Sequence, residues 1–340
     1  MSLQLLVTLL STLLLGVMTL PPVRASQSTD DKVFLIHSNI GANWQWSADS
    51  TLFTFLDESM IPEGVNADRV TWYAFDVQTQ SVTTSPKWPL YPSNFGDPFP
   101  SDANQDGFTF VSPSGRYIVY ASDHVSDYWR LSVADLSDMT TQYLNAIIGN
   151  PYSSSDEFNV FWSDSENTVL VSSLTDTNQP FIQYATGIGS QADIQSSYFF
   201  SVEFTDNTLF DIIRILDISR DGSQFLLLTQ LVLPPTSPQS LGDQYLVTAT
   251  RGENEFKFPT EYFIRGNDIR AAAFSPDDES HLLILNAQGL IDLNTATDTI
   301  NVLEPASTFG NIGRGWFSPN AEWLVFQGDG GLYGYHVLID

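Results

Sequence analysis

Phe274-Ser275-Pro276-Asp277-Asp278, followed by the apolar run HLLIL at 281–285, is the stretch that decides the fold. An aromatic residue and a serine close one strand, a turn follows, and a second short strand leaves it. Pro fixes φ at the first central turn position, and Asp, Asn or Gly tolerate the bends after it. The Ser hydroxyl can bond nearby backbone groups as the turn opens.

The same order occurs six times. It reads Trp46-Ser47-Ala48-Asp49 then LFTF, Val111-Ser112-Pro113-Ser114-Gly115 then YIVY, and Trp162-Ser163-Asp164-Ser165 then TVLV. It continues as Ile218-Ser219-Arg220-Asp221-Gly222 then FLLL, the stretch quoted first, and Phe317-Ser318-Pro319-Asn320 then WLVF. The six serines lie 65, 51, 56, 56 and 43 residues apart. A second strand pair follows in most units: Trp72–Val77 with Ser81–Thr84, Tyr128–Val133 with Thr141–Leu144, and Leu290–Leu293 with Thr299–Leu303. Four short antiparallel strands per unit, six units and no sustained helical period after residue 25 predict an all-β chain, a β-propeller of six blades. Residues 26–340 are read as one such domain.

The last unit lacks its outermost strand, because only Leu338, Ile339 and Asp340 follow Leu332–Val337. That would leave an open sheet edge. Val33-Phe34-Leu35-Ile36 is a strand without a unit, so it is expected to join the last blade and close the ring.

The repeats resemble those of TolB-type propellers, also found in the non-catalytic portions of tricorn and prolyl-oligopeptidase-like proteins. Their pattern is an aromatic, then Ser-Pro-Asp-Gly, then an apolar strand. It covers roughly residues 33–340, with Pro at 113, 276 and 319 only and the Asp-Gly pair only at Asp221-Gly222. No Trp-Asp dipeptide ends a strand, which separates the chain from true WD-repeat proteins while leaving it WD-repeat-like in architecture. The resemblance implies a fold and carries no catalytic residue across.

Composition narrows the partners. The chain has 40 acidic residues against 13 basic ones, a formal charge of −27 and no cysteine. Scarcity of Lys and Arg argues against nucleic acid, whose phosphates need cations. Absent cysteine removes disulfides and thiolate metal sites. Leu5–Leu20 (LLVTLLSTLLLGVMTL) is an uncharged run ended by Pro21-Pro22, and Val23-Arg24-Ala25 fits a signal-peptidase site, so residues 1–25 read as a signal peptide. No Lys or Arg precedes the run. Sixteen helical residues rise about 24 Å, short of a hydrocarbon core of about 30 Å. Export to a periplasmic or extracellular space is expected, with no membrane insertion after cleavage. The lack of any Asn-x-Ser/Thr sequon leans toward a bacterial source. Ring closure permits a monomer.

The first-to-second turns are all short, whereas Asp57–Arg69, Ser85–Gly107, Gln191–Asn207 and Leu231–Asp243 read as long loops on the opposite face. Surplus loop length in a compact domain is a functional signal. Ser85–Gly107 holds Trp88, Tyr91, Phe95 and Phe99 among five prolines, a flat apolar surface for a peptide or sugar ring, or a lid packed on the propeller. Its end, Asp102-x-Asn104-x-Asp106-Gly107, matches the start of a calcium loop. The twelfth position is Pro113 rather than Glu, so a closing ligand must come from elsewhere or the segment is an ordinary Asp/Asn-rich turn. Asp123 and His124 are read as lying on the loop-rich face and join the candidate ligand-binding residues. No zinc spacing, nucleophile elbow or P-loop occurs. Asp49, Asp164, Asp221 and Asp277 share one turn position and are read as structural.

The reading that follows is an exported, non-catalytic binding module presenting its long-loop face to a protein or peptide partner. Two alternatives stand beside it: a propeller hydrolase or lyase acting on a sugar or lactone with a metal at the central channel, and a calcium-stabilised structural protein.

Overall fold

A computed structural model describes residues 32–56, 72–85, 109–125, 128–148, 159–174, 180–189, 195–199, 201–203, 209–232, 243–251, 256–257, 264–265 and 268–337. The candidate leader, residues 1–25, lies outside them.

Strand β1 (Val33–His37) comes first. Blade one holds β2 (Ala42–Trp46), β3 (Leu52–Leu56), β4 (Trp72–Asp76) and β5 (Ser81–Ser85). Blade two holds β6 (Thr109–Val111), β7 (Tyr117–Val125), β8 (Tyr128–Asp135) and β9 (Thr140–Ile148). Blade three holds β10 (Asn159–Trp162), β11 (Thr168–Leu174), β12 (Pro180–Thr186) and β13 (Gln195–Phe199). In blade four β14 (Ser201–Glu203), β15 (Leu209–Ile218), β16 (Gln224–Leu231) and β17 (Gln244–Arg251) are followed by β18 (Phe256–Lys257) and β19 (Ile264–Arg265), both paired with β17. Blade five holds β20 (Ala271–Phe274), β21 (His281–Asn286), β22 (Gly289–Asn294) and β23 (Thr299–Pro305). Blade six holds β24 (Gly315–Phe317), β25 (Trp323–Gly328) and β26 (Gly331–His336), with β1 as its outer strand. The six-bladed all-β reading therefore holds, with blade four carrying two strands more than the pattern. Among the described residues one short 3-10 turn, Ala306–Thr308, is the sole helical element, and no helix is long and apolar enough to cross a membrane.

One boundary differs from the sequence reading. Gln191–Asn207 is not one long loop, because it contains β13 and β14. Asp123 and His124 lie in the last part of β7, paired with Arg130 and Trp129 of β8.

Alternation along the strands assembles the core. Val169 and Val171 of β11 face blade two, while Leu170 between them faces blade four. Phe225 and Leu227 of β16 face blade three, and Leu226 and Leu228 face blade five. Each middle strand is buried on both faces, which is why it reads as a continuous apolar run such as FLLL. A lone blade would expose both faces, so burial is completed by its neighbours around the ring.

The ring closes as expected. β1 pairs antiparallel with β26 through Val33–Tyr335, Phe34–Gly334 and Leu35–Tyr333. The Phe34 ring lies 5.7 Å from Phe75 of blade one and 6.3 Å from Trp323 of blade six. Lys32 pairs with the buried Glu304 of blade five, which also accepts a hydrogen bond from Thr308. Tyr335 bonds the same carboxylate, and burial beside this charge raises its phenol well above the ordinary value.

Candidate functional site

The repeated turns form one face of the ring. In five of them the serine N–H donates to the carbonyl five residues on, as with Ser219 to Gln224 at 2.9 Å. In the same five the serine hydroxyl accepts the N–H of that residue, at 2.8 Å for Gln224. In the fifth blade the turn is one residue longer, and Ser275 N–H reaches His281 O. The hydroxyl also donates to the acid or amide two residues on: Ser47 to Asp49 at 2.6 Å, Ser219 to Asp221 at 2.8 Å and Ser318 to Asn320 at 2.6 Å. The structural reading of Asp49 and Asp221 is thereby explained.

These turns also lock to one another. Ser114 donates through its N–H and hydroxyl to the buried Glu166 of the next turn. Asp164 N–H donates to Arg220 O at 2.7 Å, Arg220 N–H to Glu279 Oε1 at 2.5 Å, and Asn320 N–H to Ser50 Oγ at 3.0 Å. Blades two to five, and six with one, are fastened along this rim.

Inside the rim lies a cavity of about 340 Å³, lined by the inner strands of the blades and by their first-to-second turns. Six aromatic side chains contribute: Trp46, Phe161, Trp162, Phe274, Trp316 and Phe317. Ala271, Ala272, Ala273 and Gly315 keep the wall between them thin. Glycine suits 315, because a Cβ there would sit 3.2 Å from Ala271 Cβ and 3.3 Å from Leu285 Cδ2, tighter than an ordinary contact. Trp316 packs against Trp44 at 4.6 Å, and its carbonyl accepts the Trp46 indole N–H at 3.1 Å, so the aromatic wall is fixed across the blade six to blade one junction.

Two charged residues enter this wall from β15. Arg214, 6% exposed, donates through Nη2 to Arg270 O of blade five at 2.9 Å. Asp217 accepts the N–H of Ile218 and the N–H of Phe274, both at 2.8 Å. Burial pushes its carboxyl up to about 7, against the pull of those two N–H groups and with a further push from Glu279. Asp49, Asp164 and Glu279 stand where the cavity meets the turns, with Arg220 4.0 Å from Asp164. Among the described residues no group of three or more His, Asp or Glu is placed to hold a metal.

This cavity lies toward the short turns, and the long loops that the sequence singled out belong to the other face. Trp88, Tyr91, Phe95 and Phe99, and the proposed calcium ligands Asp102, Asn104 and Asp106, all lie outside the described residues. Asp123 and His124 stand near the end of β7 in blade two, paired with Arg130 and Trp129 of β8. Arg214 and Asp217 were missed. Their signal was present as charges at every third position, Asp211, Arg214 and Asp217, within an otherwise apolar strand.

No protein-family model matches the chain, and no curated protein matches it in sequence. Similar solved structures exist. An oligogalacturonate lyase in complex with manganese is 12% identical over 90% of this chain and 93% of that one, with a TM-score of 0.38. TolB from Acinetobacter baumannii is 14% identical over 86% of this chain, which spans 65% of that one, with a TM-score of 0.42. The β-propeller domain of the Trilobed protease from Pyrococcus furiosus is 9% identical over 87% and 95%, with a TM-score of 0.38. At such identities the likeness is one of fold, and what the chain does has to be read from its own side chains.

Proposed function

We propose that this chain is an exported, non-catalytic propeller that binds a peptide segment of a partner in its central channel. The observation that carries the reading is the lining of the cavity: six aromatic side chains, thin walls of Ala and Gly, and a few polar groups at set positions. Ligand sites are concave and mostly apolar, with few orienting polar groups, and a volume of about 340 Å³ lies in their usual range. Aromatic rings offer large contact area at low cost in side-chain entropy, which suits a peptide backbone. Export rests on the leader at residues 1–25.

Three of the lining residues are tryptophans, Trp46, Trp162 and Trp316, so occupancy should change the intrinsic fluorescence. The test is selection from a random peptide library displayed with free C-termini, followed by fluorescence titration of the winners. Ala48→Trp, at the rim, should block the mouth and weaken them at least tenfold. Winners that bind this variant as tightly as the wild type place the site elsewhere. Turnover on a panel of glycans and lactones, with no peptide selected, would replace the reading by the hydrolase or lyase.

A further inference from the structure

We infer that the channel holds a positively charged side chain of its peptide, a Lys or an Arg, among its aromatic rings and against the carboxylate of Asp217. This rests on the peptide-binding reading and names the class of residue that enters the channel.

The first ground is where the repeat puts Asp217. Counting back from the repeated serines gives equivalent positions around the ring. The residue directly before the serine supplies Trp46, Trp162, Phe274 and Phe317 to the cavity wall. The residue two before it supplies Gln45, Phe161, Asp217, Ala273 and Trp316. All six aromatic residues of the lining thus stand in one belt two residues deep, and Asp217 is the sole charged residue in it. Aromatic residues flank it on both sides: β15 packs between β10, which ends in Phe161 and Trp162, and β20, which ends in Phe274. Asp217 is half-buried, and its oxygens accept the N–H groups of Ile218 and Phe274, both at 2.8 Å. Those bonds fix the carboxyl in place, and each oxygen keeps a second lone pair for a further donor. A cation is attracted by the negative faces of aromatic rings and directly by a carboxylate.

The second ground is the balance of charge in the wall. Four acids, Asp49, Asp164, Asp217 and Glu279, line the cavity with two arginines, Arg214 and Arg220. Both arginines are engaged within the protein. Arg214 is buried and donates to Arg270 O at 2.9 Å, and Arg220 stands at the mouth, 4.0 Å from Asp164. No cation is among the charges that act on Asp217; the one that does is Glu279, another acid. Arg214 stands three residues deeper on the same strand, about 10 Å at the usual rise, so a ligand cation gains nothing by passing the belt. The chain as a whole carries a formal charge of −27, and a concave site with low-dielectric walls concentrates such a field. Burial lifts the Asp217 carboxyl to about 7. A ligand cation that settles against it therefore draws its proton off near neutral pH, which couples binding to pH.

The test uses the full mature chain and the peptides selected above, which should carry Lys or Arg. Each is remade with that residue replaced by a neutral counterpart, ε-acetyl-lysine for Lys or citrulline for Arg. On the wild type at pH 8 the replacement should weaken binding roughly tenfold or more. On Asp217→Asn the charged and neutral forms should bind within about threefold of each other. Affinity of the charged form for the wild type should rise about tenfold from pH 5.5 to 8, as the carboxyl loses its proton, and that of the neutral form should stay level. Winners without Lys or Arg, or charged and neutral forms that bind the wild type alike, overturn the cation contact while peptide binding itself stands. A preference for the charged form that Asp217→Asn keeps in full overturns the part given to Asp217. Where Asp217→Asn fails to give a wild-type melting curve, the pH series on the wild type decides, and a flat series for the charged form overturns that part. Selection of no peptide, with turnover on glycans or lactones, overturns both this inference and the reading beneath it.

Discussion

Closure of the ring can be tested at a single glycine. Gly334 of β26 lies opposite Phe34 of β1. A Cβ at 334 would sit 2.5 Å from Phe34 Cζ, 2.8 Å from Phe34 Cε2 and 3.2 Å from Ile36 Cδ1. Carbon atoms prefer about 3.5–4.0 Å, so the ring would have to move by roughly 1 Å. It has little freedom to do so, held between Phe75 and Trp323. Gly→Ala within a strand ordinarily stabilises by about 0.5–1 kcal/mol. Here Gly334→Ala should instead destabilise by about 1–3 kcal/mol through overpacking. Phe34→Ala removes a partly buried ring and should cost about 2 kcal/mol, below the range for a fully buried one. The double variant has room for the new methyl group. It should therefore lie about 1–2 kcal/mol above the sum of the singles in stability. Urea unfolding of the four proteins measures this coupling. Additivity within about 0.5 kcal/mol would refute the closure register and the role assigned to residues 33–37.

Deleting residues 26–37 should lower the melting temperature of the whole domain in one transition; an unchanged melt would show that β1 is dispensable. Asp217 should make the fold less stable as pH rises. Its carboxyl titrates at about 7 when folded, above the ordinary 3.8, so its contribution is fully present below about pH 4 and is lost as pH passes 7. The ceiling is on the order of 4 kcal/mol. Thermal melts from pH 4.5 to 8 should give a wild-type minus Asp217→Asn difference that falls with pH, and a flat difference would contradict the assignment. Met139 is exposed and held at φ +59°, so Met139→Gly should stabilise by about 0.5–1 kcal/mol in chemical unfolding. A loss of stability there would mean that its side chain carries packing. Ser219→Ala removes a buried hydroxyl that accepts the Gln224 N–H and donates to Asp221. It should cost about 1–3 kcal/mol by the same assay, and a neutral result would remove the hydroxyl from the turn's energetics.

Much of this architecture was legible because it is local and repeated. Each Ser-turn unit states its own strand, bend and strand within about ten residues, and closure followed from counting strands. A second repeat was legible and went unread. Asp76, Asp135 and Asn294 each accept the N–H two residues on, at 2.8, 2.9 and 3.0 Å, to turn the third strand into the fourth. The residue four positions on, Gln80, Met139 or Asp298, is left-handed. Strands β13 and β14 were hidden because QSSYF and SVE are short and weakly alternating. The cavity could not be read from any window. Its wall joins Trp46, Trp162, Arg214 and Trp316, drawn from four blades, and only the closed ring brings them to one axis.

The channel's charge has a backbone cause. A regular strand sends alternate side chains to two faces, which in an inner strand are the two neighbouring blades. β15 departs from this twice: its register with β16 slips between Ile212 and Arg214 and again between Ile215 and Asp217. Each slip inserts one unpaired residue, as a β-bulge does. The period becomes three. Ile212, Ile215 and Ile218 pack toward blade three, and Ile213 and Leu216 pack toward blade five. Arg214 and Asp217 take the remaining direction and bond the backbone of blade five at Arg270 and Phe274. Two bulges thus place a buried cation and a half-buried acid on the channel wall without removing an apolar contact from either interface. Held by strand pairing on a locked rim, they are pre-organised, so a ligand that matches them forfeits little to ordering the site.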